Sequence, residues 1–217
     1  MGTGTKGTDS NVSETLFSAD LHLGHANICP YAGRPFYKPE WRVDGKWISM
    51  DIKDMVADNM TKALIRNINQ RVTIDDTLYH IGDFCCRGNE RGVPGGRMKA
   101  RELEREIECR IVHILGNHDR NNGVESGLDS ANMTFGGNIQ FHLRHRPLTS
   151  PYQAPDGTDC VLCGHVHEKW HTQWLGNILQ INVGVDVNKF IPLTKNEIVG
   201  IYQKETRERA KLREVSE

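Results

Sequence analysis

The chain has 217 residues, 37% of them hydrophobic and 25% charged, a composition that buries a core and excludes disordered or collagen-like classes. That length suits one substantial domain rather than two. Lys plus Arg number 27 against 28 Asp plus Glu, a net charge of −1, so no global field draws the molecule to nucleic acid or anionic lipid and any such attraction is local.

Residues 1–13 are rich in Gly, Thr and Ser, lack the apolar segment of a secretory signal and read as a flexible tail, which makes the cytoplasm the expected compartment. Residues 15–20 read as a strand running into a loop of His and Gly, and the aromatic, proline-containing stretch to Trp47 as a surface excursion. From Ile48, apolar residues recur at Ile52, Met55, Val56, Met60, Ala63, Leu64 and Ile68, the spacing of one face of an amphipathic helix. A strand over 77–81 enters Gly82-Asp83. A loop over 88–96 and a helix over 97–108 follow. The apolar run 110–115 predicts a strand covered on both faces, ending at Gly116; its length is far below the roughly 20 residues of a membrane-spanning helix, and no membrane partner is expected. Further strands are predicted over 139–143, 160–163, 178–183 and 198–202, and a solvated helical tail over 204–217. The cysteines Cys29, Cys85, Cys86, Cys109, Cys160 and Cys163 are expected reduced, mostly as small buried hydrophobes. A lone CxxC at Cys160 and Cys163, on a strand, does not make a zinc ribbon.

Four clusters stand at strand ends: Asp20 with His22 and His25, Gly82-Asp83, Gly116-Asn117-His118-Asp119, and Gly164-His165 with His167. Carboxylate, imidazole and amide oxygen with no required thiolate suit Mn²⁺, Fe²⁺ or Zn²⁺ rather than a four-cysteine structural zinc site. The period of two along a strand lets Asp20 and His22, and likewise His165 and His167, project the same way to bind one metal or straddle two.

In kind and order these clusters resemble the motifs of the calcineurin-like metallophosphoesterases: Asp-x-His, Gly-Asp, Gly-Asn-His-Asp, a single His, here His145, and Gly-His-x-His. The match runs over about residues 16–186. The finer wording at 21–25, at Arg34-Pro35-Phe36 and at Asn182-Val183-Gly184-Val185-Asp186 resembles a bacterial and phage branch of small phosphoesterases. The resemblance implies an α/β fold of calcineurin-like type, two facing mixed β-sheets flanked by helices, over residues 14–203. It implies two divalent metal ions, Mn²⁺ foremost with Fe²⁺, Zn²⁺, Ni²⁺ or Mg²⁺ as others. Asp20, His22, Asp83 and His167 would hold one ion and Asp83, Asn117, His145 and His165 the other, with Asp83 as the bridge. The implied chemistry is phosphoester hydrolysis, a metal-bridging hydroxide attacking phosphorus in line while His118 protonates the leaving oxygen. Asp119 either orients the His118 imidazole or points away. Cys86 stands where the related purple acid phosphatases carry a metal-binding Tyr, so an Fe³⁺–tyrosinate site is not expected.

Residues 142–145 offer two histidines; the resemblance implies a ligand at a strand end just before a turn, and Pro147, which supplies the stop, then favours His145 and leaves His142 structural. His80 and His113, inside strands, read as core histidines. His25 and Asp186 match no ligand position; a substrate contact for His25 and a hydrogen bond from Asp186 to a ligand imidazole stand beside purely structural roles. Of the arginines near the motifs, Arg91, Arg97, Arg120, Arg144 and Arg146 read as solvated charge, and Arg34 and Arg87 as phosphate contacts. Trp41, Trp47, Trp170 and Trp174 read as partly buried anchors. The expected substrate is a phosphoester, with a diester of nucleotide or nucleic-acid type ahead of a phosphomonoester on a protein or small metabolite. A metal-free interaction module is the reading from another class. No obligate protein partner is evident.

Overall fold

The apolar pair Leu16-Phe17 points to opposite faces of one strand and demands a sheet covered on both sides. In the computed structural model, which describes residues 13–86 and 99–216 (the side chains of 215 and 216 excepted), β1 (Thr15–Ser18) is such a strand, with both residues fully buried. After β1 come the short helix α1 (Ile28–Tyr31), a hairpin of β2 (Arg42–Val43) and β3 (Lys46–Trp47), and the long helix α2 (Met50–Asn69). Then follow β4 (Thr77–Ile81), α3 (Ala100–Arg105), β5 (Arg110–Ile114), β6 (Ala131–Phe135), β7 (Ile139–Leu143), β8 (Cys160–Cys163), β9 (Thr172–Leu175), β10 (Ile178–Asn182), β11 (Leu193–Thr194) and α4 (Lys195–Ser216). The chain is thus mixed α/β.

One sheet has the order β11-β1-β4-β5, with β1, β4 and β5 parallel and β11 antiparallel at the edge. The other has the order β6-β7-β8-β10-β9, with a parallel centre and an antiparallel strand on each edge. Phe17, Ile81 and Ile114 of the first sheet share one buried core with Phe141, Leu162 and Ile181 of the second. On the outer face of the first sheet, Leu16 and Leu78 pack with Val56, Met60, Leu64 and Ile68 of α2, the stripe that the sequence periodicity marks. Ser49 caps that helix, its hydroxyl accepting from the Ile52 N–H at 3.2 Å.

Three expectations are corrected. Residues 198–202 are helical, not a strand. Thr194 and Glu197 form a capping box, the Thr194 Oγ1 accepting from Glu197 N–H at 3.2 Å and the Glu197 carboxylate from Thr194 N–H at 2.8 Å. The helix they start buries Ile198 against the inter-sheet core and packs Ile201 and Tyr202 beside it, at helical spacing. The stretch before Trp47 is less of an excursion than expected: Phe36, Tyr37, Trp41 and Trp47 pack against the α2 core. The helix expected over 97–108 is the shorter α3, and the loop expected over 88–96 lies outside the described residues, as do residues 1–12 of the expected tail. Among the described residues no helix is long and apolar enough to cross a membrane.

Beyond its last residue β1 pairs with the chain after β10, Ala19 N–H bonding the Val183 carbonyl at 3.2 Å and Val185 N–H the Ala19 carbonyl at 3.1 Å. The two sheets are tied together at the end where the four clusters emerge.

Candidate metal centre

Regular pairing stops at Ser18 and Ile81, but the chains beyond stay in step: Asp20 N–H reaches the Gly82 carbonyl and His22 N–H the Asp83 carbonyl, each at 2.9 Å. The convergence of Asp20 with His22 and of His165 with His167 comes from left-handed backbone, not from the strand pleat that their spacing suggested. Their φ angles are 56°, 48°, 72° and 51°, and that of Asp83 is 60°. Each such residue costs about 1–3 kcal/mol and persists only where its surroundings over-determine it, as they do at functional sites. Two glycines give the side chains room. A Cβ on Gly82, itself at φ 87°, would run into the His145 ring, and one on Gly116 into the carboxylate and backbone nitrogen of Asp83.

Two acid–histidine triads result, Asp20 with His22 and His167, and Asp83 with His145 and His165. Within each triad the candidate ligand atoms lie within 4.8 Å of one another, close enough to hold a metal ion. Asp83 stands between them, its Oδ2 3.6 Å from Nε2 of His22 and 3.4 Å from Nε2 of His145. The Asn117 Oδ1 lies 3.2 Å from the same His145 nitrogen. The backs of two rings are fixed: Nδ1 of His145 sits 3.0 Å from the Ile81 carbonyl and Nδ1 of His167 2.8 Å from Oδ2 of Asp186. A proton donated there leaves each Nε2 with the lone pair a metal needs. Nε2 of His22 is buried with no hydrogen-bond partner among the described residues, a costly state that a cation relieves.

Electrostatics agree with a site built for positive charge. Burial pushes the Asp20 carboxyl up to about 6, against the pull of His145 and His167. Burial acts on Asp83 in the same direction but loses to His145, His22 and the His118 backbone N–H, which hold it well below the usual carboxylate range. Burial drives His22 well below the usual imidazole range despite Asp83, which favours its neutral, ligating form.

His118 stands beside both triads. Its backbone N–H donates to Asp83 Oδ1 at 3.0 Å, and its Nε2 is 3.9 Å from Oδ2 on a side chain 55% exposed. Asp119 does not orient it. The Asp119 carboxylate, fully buried, accepts from the backbone N–H groups of Asp83 at 2.9 Å, Phe84 at 2.8 Å and Gly116 at 2.7 Å. Three donors left over by two turns outcompete the neighbouring ring, and Asp119 clamps the two loops together. Arg34 is the other correction. It is 1% exposed, with Nε and Nη2 on Asp186 at 2.7 and 3.1 Å and its Nη2 and Nη1 on the Asp20 and Leu21 carbonyls at 2.6 and 3.0 Å, so no edge of its guanidinium faces a substrate. Asp186 does hold a candidate ligand, His167, and is itself held by Arg34. The His25 ring lies 5.7 Å from that of His22, at the edge of the first triad. Arg87, with Arg91 and Arg97, lies outside the described residues.

His142 bonds Asn132 within its own sheet at 2.7 Å, and His80 and His113 are buried beside Phe84. Cys160 and Cys163 face different cores, which rules out one metal shared between them. Sequence reasoning named Asn182 without its role and found no sign of Asn188. Asn182 donates to the carbonyls of His167 at 2.8 Å and Trp170 at 2.9 Å, and Asn188 to those of Asn182 at 3.0 Å and Gly184 at 2.8 Å. The available signal for Asn182 was an amide closing the buried strand β10, a polar group that must find partners once buried.

The uncharacterized protein MJ1445 of Methanocaldococcus jannaschii is 30% identical over 189 residues, which cover 86% of this chain and 89% of that one. The chain belongs to the MJ1445 family. No family model matches it. Among solved structures, the fold of this MJ1445 relative is shared with the protein of unknown function AQ665 from Aquifex aeolicus, at a TM-score of 0.56 and 21% identity over 88% of this chain and 100% of that one. The E. coli phosphoesterase Yfce is matched at a TM-score of only 0.38, with 15% identity over 78% of each chain.

Proposed function

We propose that the chain is a dinuclear metal-dependent phosphoester hydrolase of the calcineurin-like type. The observation that carries this reading is the pair of acid–histidine triads facing each other across Asp83, with the His22 nitrogen buried and unsatisfied between them. Asp20, His22, Asp83 and His167 would hold one divalent ion, and Asp83, Asn117, His145 and His165 the other, with Mn²⁺ the preferred metal. Two divalent ions in such a site lower the pKa of a water and neutralise the charge of the phosphoryl oxygens.

The chain's own residues supply the rest. Asp83, ionised by its surroundings, is suited to lie between two cations. His118, exposed beside it and held through its backbone N–H, is the group placed to give a proton to the leaving oxygen. Asn122 steadies that loop by donating to the His118 carbonyl at 2.7 Å. A phosphodiester of nucleotide or nucleic-acid type is the preferred substrate class.

Hydrolysis of bis-p-nitrophenyl phosphate and p-nitrophenyl phosphate with Mn²⁺ tests the proposal, with His118→Ala and Asp83→Asn alongside. Turnover of the diester that falls about 100-fold or more in each variant is expected. A preference for the monoester moves the assignment to a phosphatase. Turnover unchanged in both variants contradicts the mechanism.

A further inference from the structure

Beside the second triad, between the chain that follows β5 and the chain that follows β7, lies a cleft of about 480 Å³. It shares His145 with the triad and includes Asn117 beside it, and its walls carry Arg120, Arg144, Arg146 and a single carboxylate, Asp129. Three guanidiniums against one carboxylate make a local excess of positive charge on a chain whose net charge is −1.

Little inside the protein engages these arginines. Arg120 meets Asp129 at 3.1 Å with the two side chains 72% and 87% exposed, a pairing worth little in water. Among the described residues the Arg144 guanidinium reaches only the Gln153 carbonyl, at 3.5 Å. Arg146 is exposed and has no ion-pair partner among the described residues. Guanidiniums grouped in this way and left without carboxylates are suited to bidentate contact with phosphate oxygens. The lining includes no Phe, Tyr or Trp among the described residues, so the cleft offers a base no broad ring to stack on. Its size is that of a small-molecule site.

We infer that the substrate of the proposed hydrolase carries a second phosphate next to the scissile one, in a phosphoanhydride chain such as that of a nucleoside polyphosphate, and that Arg120, Arg144 and Arg146 hold it. The word substrate rests on the hydrolase reading; the anion site does not. In the reaction, water supplies the oxygen added to phosphorus, the bond from phosphorus to the leaving oxygen breaks, and that oxygen takes up a proton. The second phosphate is held and unchanged.

The test is calorimetric titration of metal-free protein with inorganic tripolyphosphate and with orthophosphate. Tripolyphosphate is expected to bind at least about tenfold more tightly than orthophosphate, and Arg144→Gln/Arg146→Gln to weaken it by about tenfold or more. Arg101→Gln/Arg207→Gln, which removes the same charge from exposed positions on α3 and α4, should leave it unchanged. Equal affinity for the two anions, or equal losses in the two double variants, overturns the inference. Failure of the hydrolase reading shows separately, as no turnover of bis-p-nitrophenyl phosphate by the Mn²⁺-loaded protein, and leaves the titration intact.

Discussion

Arg34 carries its charge to a place where its side chain touches no solvent, and it is tolerated there because its guanidinium is bonded to the Asp186 carboxylate and to the Asp20 and Leu21 carbonyls. It grips Asp186 with two nitrogens, and Asp186 in turn grips Nδ1 of His167, so the arginine positions a candidate metal ligand through one intervening carboxylate. Asp186→Asn is expected to weaken Mn²⁺ binding by about 10–100-fold, measured by titration, because an amide with one acceptor oxygen cannot serve both Arg34 and the His167 ring. Full affinity in that variant contradicts the role. Arg34→Met leaves Asp186 buried without its partner and should cost about 3–5 kcal/mol in urea unfolding. The Arg-Pro-Phe wording made Arg34 visible in the sequence, yet what it faces was not. A charged residue in a loop reads as solvent-facing or substrate-facing, and only the fold reveals a carboxylate 152 positions away. The choice left open for Asp119 was hidden for the same reason. Its neighbour in sequence is His118, but two of its three partners are backbone N–H groups from a different loop.

At the scale of elements, the loops that leave the strands are the vulnerable parts. Gly116→Ala pushes a methyl into Asp83, whose backbone also blocks retreat, and is expected to abolish Mn²⁺ binding by the second triad. Retention of wild-type stoichiometry counts against that packing. At the opposite end of the same strands, Asp76 accepts from Glu14 N–H at 2.6 Å and from Thr73 N–H at 2.7 Å, tying the start of β1 to the approach to β4. Burial raises its pKa, but these bonds outweigh burial and hold the carboxyl below the usual range. A depressed carboxylate contributes stability that is present above its unfolded pKa, about 4, and lost as pH falls through the folded value. Asp76→Asn should therefore flatten the acid side of a plot of urea midpoint against pH and leave little pH dependence of its own there. Thr194→Ala removes the α4 cap and should cost about 1 kcal/mol. That cap also marks where sequence reading failed. Ile198 to Tyr202 is β-branched and aromatic enough to suggest a strand, while the Thr194–Glu197 pair three residues apart announces a helix start and outweighs it. By contrast, β4, β7 and β8 were legible to the residue, since β8 is a short apolar run and β4 and β7 are short segments rich in β-branched, aromatic and aliphatic residues, all bounded by turn residues.

Across the whole molecule, two sheets from different parts of the chain share one core and are stitched at one end through Ala19 and Gly184. That stitching brings ligands separated by more than 140 positions, such as Asp20 and His165, within hydrogen-bond distance, the His165 N–H donating to Asp20 at 2.8 Å. The candidate ligands that meet in the two triads were legible because metal chemistry restricts the residue types that can serve. The geometry that unites them was not, because it depends on left-handed backbone at five non-glycine residues, which no side-chain pattern announces. The arginine cleft was hidden likewise: Arg120 and Arg146 are far apart in sequence, and only the packing of two loops makes them one wall.

In the proposed hydrolase Asp83 joins two metal positions into one centre, and electron paramagnetic resonance of protein titrated with Mn²⁺ reads that junction. Two equivalents bound per chain are expected, with the exchange-coupled spectrum of a carboxylate-bridged pair that Asp83→Asn abolishes. A single equivalent, or two that remain magnetically independent in the unaltered protein, would contradict that role of Asp83.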